Sequence, residues 1–176
     1  VGTYSITDAR KEKVSFAGPY FIAGQDLLVR ADDMSITGVE SLAGKKLCSV
    51  KGSTSAANVQ KLVPGVNLQE YGTYTLCVDA LKAKNVDALT TDDTILAGYA
   101  AQEANKGQLK VVGKTFSKEN YGVGLKKGDT AFCQKVTDAL NKYFSSGEWL
   151  KAVEKNLGPA GYKPGAGNPP TPAPCS

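Results

Sequence analysis

Short hydrophobic runs alternate with amphipathic segments of about ten residues through the middle of the chain. The runs that match the pattern of strands are 47–50, 66–71, 86–90 and 109–112. The segments that match the pattern of helices are 56–63, 73–84 and 92–104. Because strands alternate with helices, the pattern predicts an α/β fold with βαβ units and a parallel sheet.

The regions on either side of this alternation have different patterns. Residues 14–21 are aromatic and interrupted by Pro19, and residues 25–30 form a predicted strand. A glycine-rich strand is predicted at 121–125, and a long helix is predicted at 130–145. The segment that precedes the alternation is therefore expected to belong to a different domain, which feeds into the α/β unit.

The last part of the chain combines two amphipathic helices with an aperiodic tail. The apolar stripe of the long helix is formed by Phe132, Val136, Ala139, Leu140 and Tyr143. A second short helix carries Trp149 on its apolar face, and we expect this side chain in the core. From Gly158 the chain is rich in Gly and Pro, which predicts an extended wrap or a disordered end.

The composition fits a globular protein but excludes most familiar catalytic sites. The 176 residues are 41% hydrophobic and 22% charged, and they include four cysteines and no histidine. Without histidine there is no Ser-His-Asp triad, no Cys-His pair and no His-ligated metal site. The cysteines lack C-x-x-C spacing, and the P-loop pattern is absent. We therefore expect a binding function, with no catalytic residue, no metal and no cofactor.

The net charge of +4 hides a marked preference among the basic residues, since there are 19 lysines and only two arginines, Arg10 and Arg30. The lysines are spread along the chain rather than clustered. Nucleic-acid-binding proteins usually cluster basic residues and use arginine for specific contacts. The pattern favours a solvated lysine surface and no nucleic-acid partner, and it draws attention to the two arginines.

The four cysteines form an even set, Cys48, Cys77, Cys133 and Cys175, which allows three disulfide pairings. The alternative is a set of buried free thiols in a cytosolic protein. Cys175 lies in the Pro-rich tail, where no core is expected to bury it. The cysteines therefore favour disulfides and an oxidising, extracytoplasmic compartment.

Three separated motifs resemble the polar amino-acid-binding proteins of ABC importers. The motifs are Ser5–Lys11 continued by 14–20, the turn at 50–54, and the segment 86–92. Their order and spacing also match that family. Residues 69–74 and 91–93, together with the cysteines, resemble actinobacterial glutamate-binding lipoproteins most closely.

The resemblance implies a type II periplasmic-binding-protein fold, in which two α/β lobes joined by two crossover strands close on a ligand. It divides the chain into a complete lobe at 28–118, a partial lobe at 1–27 and 119–158, and a tail at 159–176. The family carries further elements before the position of Val1. We expect a cell-surface lipoprotein that is anchored through that preceding segment. The partial lobe is expected to be covered either by that segment or by self-association of the chain.

Arg10 is the residue that the resemblance assigns to the α-carboxylate of a bound amino acid. A guanidinium group suits this task because it binds a carboxylate with two parallel hydrogen bonds. Ser5 is assigned to the same subsite, and the backbone carbonyl of Thr3 is assigned to the ligand ammonium group. The alternatives are a surface or helix-start arginine and an ordinary turn hydroxyl.

A second set of residues precedes predicted helices. Ser53 and Thr54 stand where free backbone N–H groups and the helix dipole favour an anion, although both are also common N-cap residues. The resemblance assigns Asp92 to the ligand ammonium and Thr91 to the ligand side chain. Either Asp92 or the adjacent Asp93 is expected to cap the helix that follows.

The predicted disulfides are Cys48–Cys77 within the complete lobe and Cys133–Cys175 between the long helix and the tail. By the same resemblance, the chain belongs to the substrate-binding component of an ABC importer. Its expected ligand is a polar or acidic L-amino acid, with glutamate favoured over aspartate and glutamine, and its expected partners are membrane permease subunits. The alternatives are a dehydratase-like enzyme on the same scaffold and the ectodomain of a sensor.

Overall fold

A computed structural model describes residues 1–175 of the chain, which divide into two units by their internal contacts. Unit 1 comprises Val1–Ala23, Lys118–Gly158 and the chain from Lys163 onward. Unit 2 comprises Gly24–Ser117 and Pro159–Tyr162. The expected domain boundaries at 27/28 and 118/119 lie within four residues of these divisions. The described part of the tail is shared between the units, and Ser176 of the expected tail lies outside the described residues.

The elements follow the predicted alternation closely. The strands are β1 (Val14–Ala23), β2 (Gln25–Arg30), β3 (Lys46–Val50), β4 (Asn67–Tyr71), β5 (Ala88–Asp92), β6 (Leu109–Val111) and β7 (Glu119–Lys126). The α-helices are α1 (Asp8–Lys11), α2 (Thr54–Leu62), α3 (Tyr74–Lys82), α4 (Asp93–Ala101), α5 (Thr130–Ser145) and α6 (Glu148–Leu157). Side-chain caps begin four of the helices, for example Ser53 at α2 and Thr73 at α3.

Unit 2 contains a five-stranded sheet in the order β4-β3-β5-β2-β6. Strands β4 and β5 both pair with β3 in parallel, whereas β2 is antiparallel to both β5 and β6. The prediction of a parallel sheet was therefore correct for the direction of the four alternating strands but wrong for the sheet as a whole. Strand β2 precedes the alternation, and no crossover helix forces it into the common direction.

Both faces of this sheet are buried, which explains its largely apolar strands. On one face Leu28 and Leu89 pack with residues of α3 and α4, including Leu81 and Leu96. On the other face the neighbouring residues of β2 pack with Val59 of α2. The predicted Cys48–Cys77 disulfide is confirmed, and it joins β3 to α3 within the first of these clusters.

Unit 1 contains an antiparallel pair formed by β1 and β7. The interruption expected at Pro19 is a shift in register between Ala17 and Phe21, and β1 continues beyond it to Ala23. A bulge at this point accommodates a proline, which cannot donate a hydrogen bond to the ladder. Gly18 has φ 131°, and a Cβ atom there would approach Gly122 Cα to 3.2 Å, so this position requires glycine.

Helix α5 packs on β1 with a face that coincides only in part with the predicted apolar stripe. The buried residues of α5 are Cys133 and Thr137, whereas Phe132 is 51% exposed and Ala139 is also exposed. The stripe is therefore only partly the packed face. Trp149 is buried as expected, and its ring packs against Phe21 and Phe144.

The tail is an extended wrap on unit 1 over its described residues from Lys163. The side-chain amide of Asn168 pairs with the backbone of Ile22, since its Oδ1 accepts from Ile22 N at 2.9 Å and its Nδ2 donates to Ile22 O at 2.8 Å. Ala173 N donates to Gly18 O at 2.7 Å. The predicted Cys133–Cys175 disulfide is confirmed and fixes the end of this segment to α5. None of the helices in residues 1–175 combines the length and apolar character needed to cross a membrane.

Candidate functional site

Arg10 lies in the short helix α1 of unit 1, and its side chain is held in a defined orientation. Its Nη1 donates to the carbonyl oxygen of Ser5 at 2.7 Å. Its guanidinium carbon lies 4.4 Å from the centre of the Tyr4 ring, which is a cation–π contact. Among the described residues the other guanidinium N–H groups have no acceptor, so this fork is oriented while most of its five donors remain available.

Ser5 is tied to the start of β7 by backbone and side chain. It forms an isolated antiparallel bridge with Tyr121, and its hydroxyl donates to Glu119 Oε2 at 2.8 Å. The structure thus brings Ser5 and Arg10 together through the Ser5 carbonyl, and it adds Glu119, which the sequence analysis did not identify. Thr3 is exposed and makes no hydrogen bond to another described residue.

In unit 2, Ser53 and Thr54 stand at the beginning of α2. Ser53 is the N-cap, since its hydroxyl accepts from Ala56 N at 3.0 Å, and it also lies 3.4 Å from the Ser49 hydroxyl. Thr54 is exposed. The first backbone N–H groups of a helix have no intrahelical acceptor, so the capped end of α2 still presents donors to an anion.

Thr91 is buried near the end of β5, where three hydroxyl groups meet. Its Oγ1 accepts from Ser55 Oγ at 3.4 Å and donates to the Tyr74 hydroxyl at 2.9 Å. Ser55 is in the first turn of α2, and Tyr74 is the first residue of α3. The sequence analysis missed Tyr74, although its position directly after the N-cap Thr73 is a usable signal.

The side chain of Gln25 links the start of α2 to β5 of the sheet. Its side chain is 2% exposed and donates to Ser55 O and Thr90 Oγ1, both at 2.9 Å, while its Oε1 accepts from Asn58 Nδ2 at 2.7 Å. Such a fully hydrogen-bonded buried network fixes side-chain positions. Gln25 is the only amide residue in β2, near the Leu27–Val29 apolar run, and this was the available sequence signal.

The two adjacent acidic residues at the start of α4 have different surroundings. Asp92 occupies the N-cap position but makes no capping hydrogen bond through its side chain, and it is half-buried. Asp93 is buried and accepts from Gly24 N at 3.2 Å, Thr94 N at 2.9 Å and the Tyr162 hydroxyl at 3.0 Å. Burial raises the pKa of Asp93 above its ordinary value, although these hydrogen bonds oppose the shift.

Each unit, taken by itself, carries groups suited to binding small polar molecules. Unit 1 offers an oriented guanidinium, and unit 2 offers helix N-termini, hydroxyl groups and the Asp92 carboxylate. Within residues 1–175, no group of three or more His, Cys, Asp and Glu side chains could hold a metal ion.

The chain matches the model of the bacterial extracellular solute-binding proteins, family 3, over residues 1–159. It is 47% identical over 162 residues to the glutamate-binding protein GluB of Corynebacterium efficiens, a match that covers 89% of this chain and 54% of that protein. It is 39% identical over 156 residues to the glutamine-binding protein GlnH of Bacillus subtilis, covering 88% of this chain and 56% of GlnH. The chain thus spans about half the length of these relatives.

Solved structures give the same picture of the fold. An ancestral arginine-binding protein bound to glutamine is 37% identical, with a TM-score of 0.72 over 89% of this chain and 69% of that one. The GluR0 ligand-binding core from Nostoc punctiforme in complex with L-glutamate is 26% identical, with a TM-score of 0.73 over 89% of this chain and 71% of that one. The α/β, type II periplasmic-binding-protein fold class is confirmed. The chain belongs to the bacterial extracellular solute-binding proteins, family 3.

Proposed function

We propose that the chain is part of the substrate-binding component of an ABC importer and that it binds a free polar or acidic L-amino acid, with glutamate favoured. By their names, GluB of Corynebacterium efficiens is a glutamate-binding protein and GlnH of Bacillus subtilis is a glutamine-binding protein. The family is extracellular by its description, which supports a location outside the cytoplasm. A lipoprotein anchor and permease subunits as partners belong to the same proposal.

The observation that carries this proposal is the orientation of Arg10. Its guanidinium is fixed by the Ser5 carbonyl and the Tyr4 ring, and it retains donors for a planar anion. An α-carboxylate offers two oxygens at the spacing that such a fork binds. We assign Arg10 and Ser5 to this carboxylate. The oriented contacts distinguish Arg10 from a freely solvated surface arginine.

Unit 2 supplies the complementary groups in this proposal. Asp92 and the Thr3 carbonyl of unit 1 accept from the ligand ammonium group, and the N-terminal N–H groups at Ser53 and Thr54 donate to a ligand carboxylate. Asp93 is not assigned to the ligand, since its buried carboxylate receives three hydrogen bonds within unit 2. We assign Thr91 to the ligand side chain; its hydroxyl is bonded to those of Ser55 and Tyr74.

Calorimetric titration of the full-length protein with glutamate, aspartate, glutamine and arginine tests the proposal. We expect the tightest binding for glutamate and weaker binding for glutamine and aspartate. Failure of all four amino acids to bind would reject the proposed function. Tightest binding of arginine would retain an amino-acid-binding function but reject the preference for an acidic ligand.

A further inference from the structure

Three hydroxyl groups in unit 2 form a chain of hydrogen bonds in which each hydroxyl donates to the next. Ser55 Oγ donates to Thr91 Oγ1 at 3.4 Å, and Thr91 Oγ1 donates to the Tyr74 hydroxyl at 2.9 Å. Thr91 is 1% exposed and Ser55 is 6% exposed, whereas Tyr74 is half-buried. This chain of hydroxyl groups therefore begins at a buried serine and ends at a tyrosine that is partly exposed.

The direction of these hydrogen bonds determines whether the Tyr74 hydroxyl is still able to donate. A hydroxyl group has one proton, and the proton of Thr91 is directed to Tyr74. The Tyr74 oxygen is thus an acceptor inside the chain, and its own proton must point elsewhere. Among residues 1–175, no acceptor receives that proton. Tyr74 is half-buried, so its hydroxyl proton remains available to an acceptor that does not belong to the described residues.

The position of this donor is where ligands bind in open α/β sheets, outside the carboxyl ends of the parallel strands. Thr91 is near the carboxyl end of β5, and Tyr74 follows the carboxyl end of β4 by three residues. The start of α2, with Ser55, stands after the carboxyl end of β3. Three successive strand–helix connections of unit 2 therefore contribute to one cluster of hydroxyl groups.

We propose that Tyr74 determines ligand specificity by donating its hydroxyl proton to an oxygen atom at the end of the ligand side chain. The inference rests on the proposed function and narrows it to amino acids with a side-chain carboxylate or amide oxygen. A guanidinium or ammonium group carries only hydrogen-bond donors, so it would offer no acceptor to the Tyr74 hydroxyl. Thr91 acts in this arrangement as a positioning residue, because its own proton is used to orient Tyr74.

The test compares two ligands on two tyrosine variants of the full-length protein. L-Norvaline has an aliphatic side chain of the same length as glutamate but no oxygen at its end. The variant Tyr74→Phe removes the donor and keeps the ring. The matched control is Tyr99→Phe, since the Tyr99 hydroxyl also lies near a threonine, Thr75 at 3.3 Å, but outside the chain of hydroxyl groups.

We expect Tyr74→Phe to raise the Kd for glutamate by roughly 10- to 100-fold, because a hydrogen bond to a charged group is lost. The Kd for norvaline should change less than about twofold, and Tyr99→Phe should leave both values unchanged. Equal weakening of both ligands would show that Tyr74 only shapes the site, and it would overturn the inference. An unchanged Kd for glutamate would also overturn it while leaving the proposed function intact. Failure of the wild-type protein to bind any amino acid would instead reject the proposed function.

Discussion

The hydroxyl of Tyr162 donates a hydrogen bond to the Asp93 carboxylate at 3.0 Å. Tyr162 lies three residues beyond the part of the chain that matches the family, and Asp93 is the first residue of α4. The same carboxylate accepts from Gly24 N, at the first residue of unit 2. Burial, together with the negative charge of Asp93, raises the pKa of Tyr162 and keeps it protonated as a donor.

Replacing Tyr162 by phenylalanine should destabilise the protein without changing its fold. The change removes one of the three donors to the buried Asp93 carboxylate, and a loss of this kind costs about 1–3 kcal/mol. Urea denaturation measures the free energy of unfolding. The control is Tyr143→Phe, because the Tyr143 hydroxyl makes no hydrogen bond to another described residue. Equal stability of the two variants would contradict a stabilising role for Tyr162.

Asp93 should make the free energy of unfolding depend on pH in a defined direction. Burial raises the pKa of Asp93 and of Asp26 in the folded protein, whereas in the unfolded chain the value is about 3.9. Between the two pKa values the native state holds a proton that the unfolded state has released. The contribution of Asp93 to stability is therefore full below pH 4 and is lost as pH rises through the native pKa.

The variant Asp93→Asn removes this titration, so its measurement isolates the effect. Relative to Asp93→Asn, the wild-type protein should be more stable near pH 4 than near pH 7. Thermal unfolding across this range, with the exposed Asp79→Asn as a control for the loss of a charge, gives the comparison. A difference that grows in favour of the wild-type protein toward pH 7 would show the opposite sign and exclude a raised native pKa.

The two disulfides should stabilise the protein by similar amounts but act on different parts of it. The cysteines are separated by 29 residues in Cys48–Cys77 and by 42 in Cys133–Cys175. The chain-entropy relation gives about 3–4 kcal/mol for each loop. Paired Cys→Ser variants, measured by urea denaturation, test these values.

Hydrogen exchange and proteolysis distinguish the two variants in a second way. Loss of Cys133–Cys175 should increase exchange in the tail from Lys163, where the hydrogen bonds of Asn168 and Ala173 to the backbone of β1 remain. Loss of Cys48–Cys77 should instead increase exchange in β3 and α3. Unchanged protection of the tail in the first variant would show that the other contacts suffice to hold it.

The sequence predicted the elements of unit 2 well because each is bounded by local signals. The strand at 25–30 has the same bounds in the structure, and Pro64–Gly65 follows soon after the end of α2. The place of β2 between β5 and β6 was not predictable in this way. It depends on pairing between strands about 60 to 80 residues apart in sequence, for which the pattern along β2 itself carries no signal.

The candidate residues were assigned by the family resemblance, and the composition added to it where a residue type is rare. The scarcity of arginine drew attention to Arg10 and Arg30, the resemblance assigned Arg10 to the ligand, and the structure gives Arg10 an oriented side chain. The different environments of Asp92 and Asp93 could not be derived, since the partners of Asp93 include Gly24 and Tyr162, both remote in sequence. Tyr74 was missed because its hydrogen-bond partner Thr91 lies 17 residues away in sequence, on another element.

Ser53 should contribute both to stability and to ligand binding, and a second cap separates the two effects. Ser53→Ala removes the hydrogen bond to Ala56 N at the start of α2, and Asp129→Ala removes the corresponding bond to Phe132 N at the start of α5. Each should lower the free energy of unfolding by about 1 kcal/mol. Only Ser53→Ala should also weaken glutamate binding in calorimetry. Equal affinity of both variants would reduce Ser53 to a capping role.

Arg10→Ala should abolish most of the affinity for the amino acid while costing little stability. In the unliganded chain the Arg10 side chain makes one hydrogen bond to Ser5 O and one contact with the Tyr4 ring. Removing one member of a desolvated charge pair costs about 3–5 kcal/mol, so the Kd should rise by at least about 100-fold. The neighbouring Lys11→Ala keeps the same net charge as Arg10→Ala and should bind as the wild-type protein does. Arg10→Lys should recover only part of the affinity, since an ammonium group lacks the planar fork. Tight binding of glutamate by Arg10→Ala would show that the α-carboxylate is held elsewhere, because no change of folding could explain an affinity that is retained.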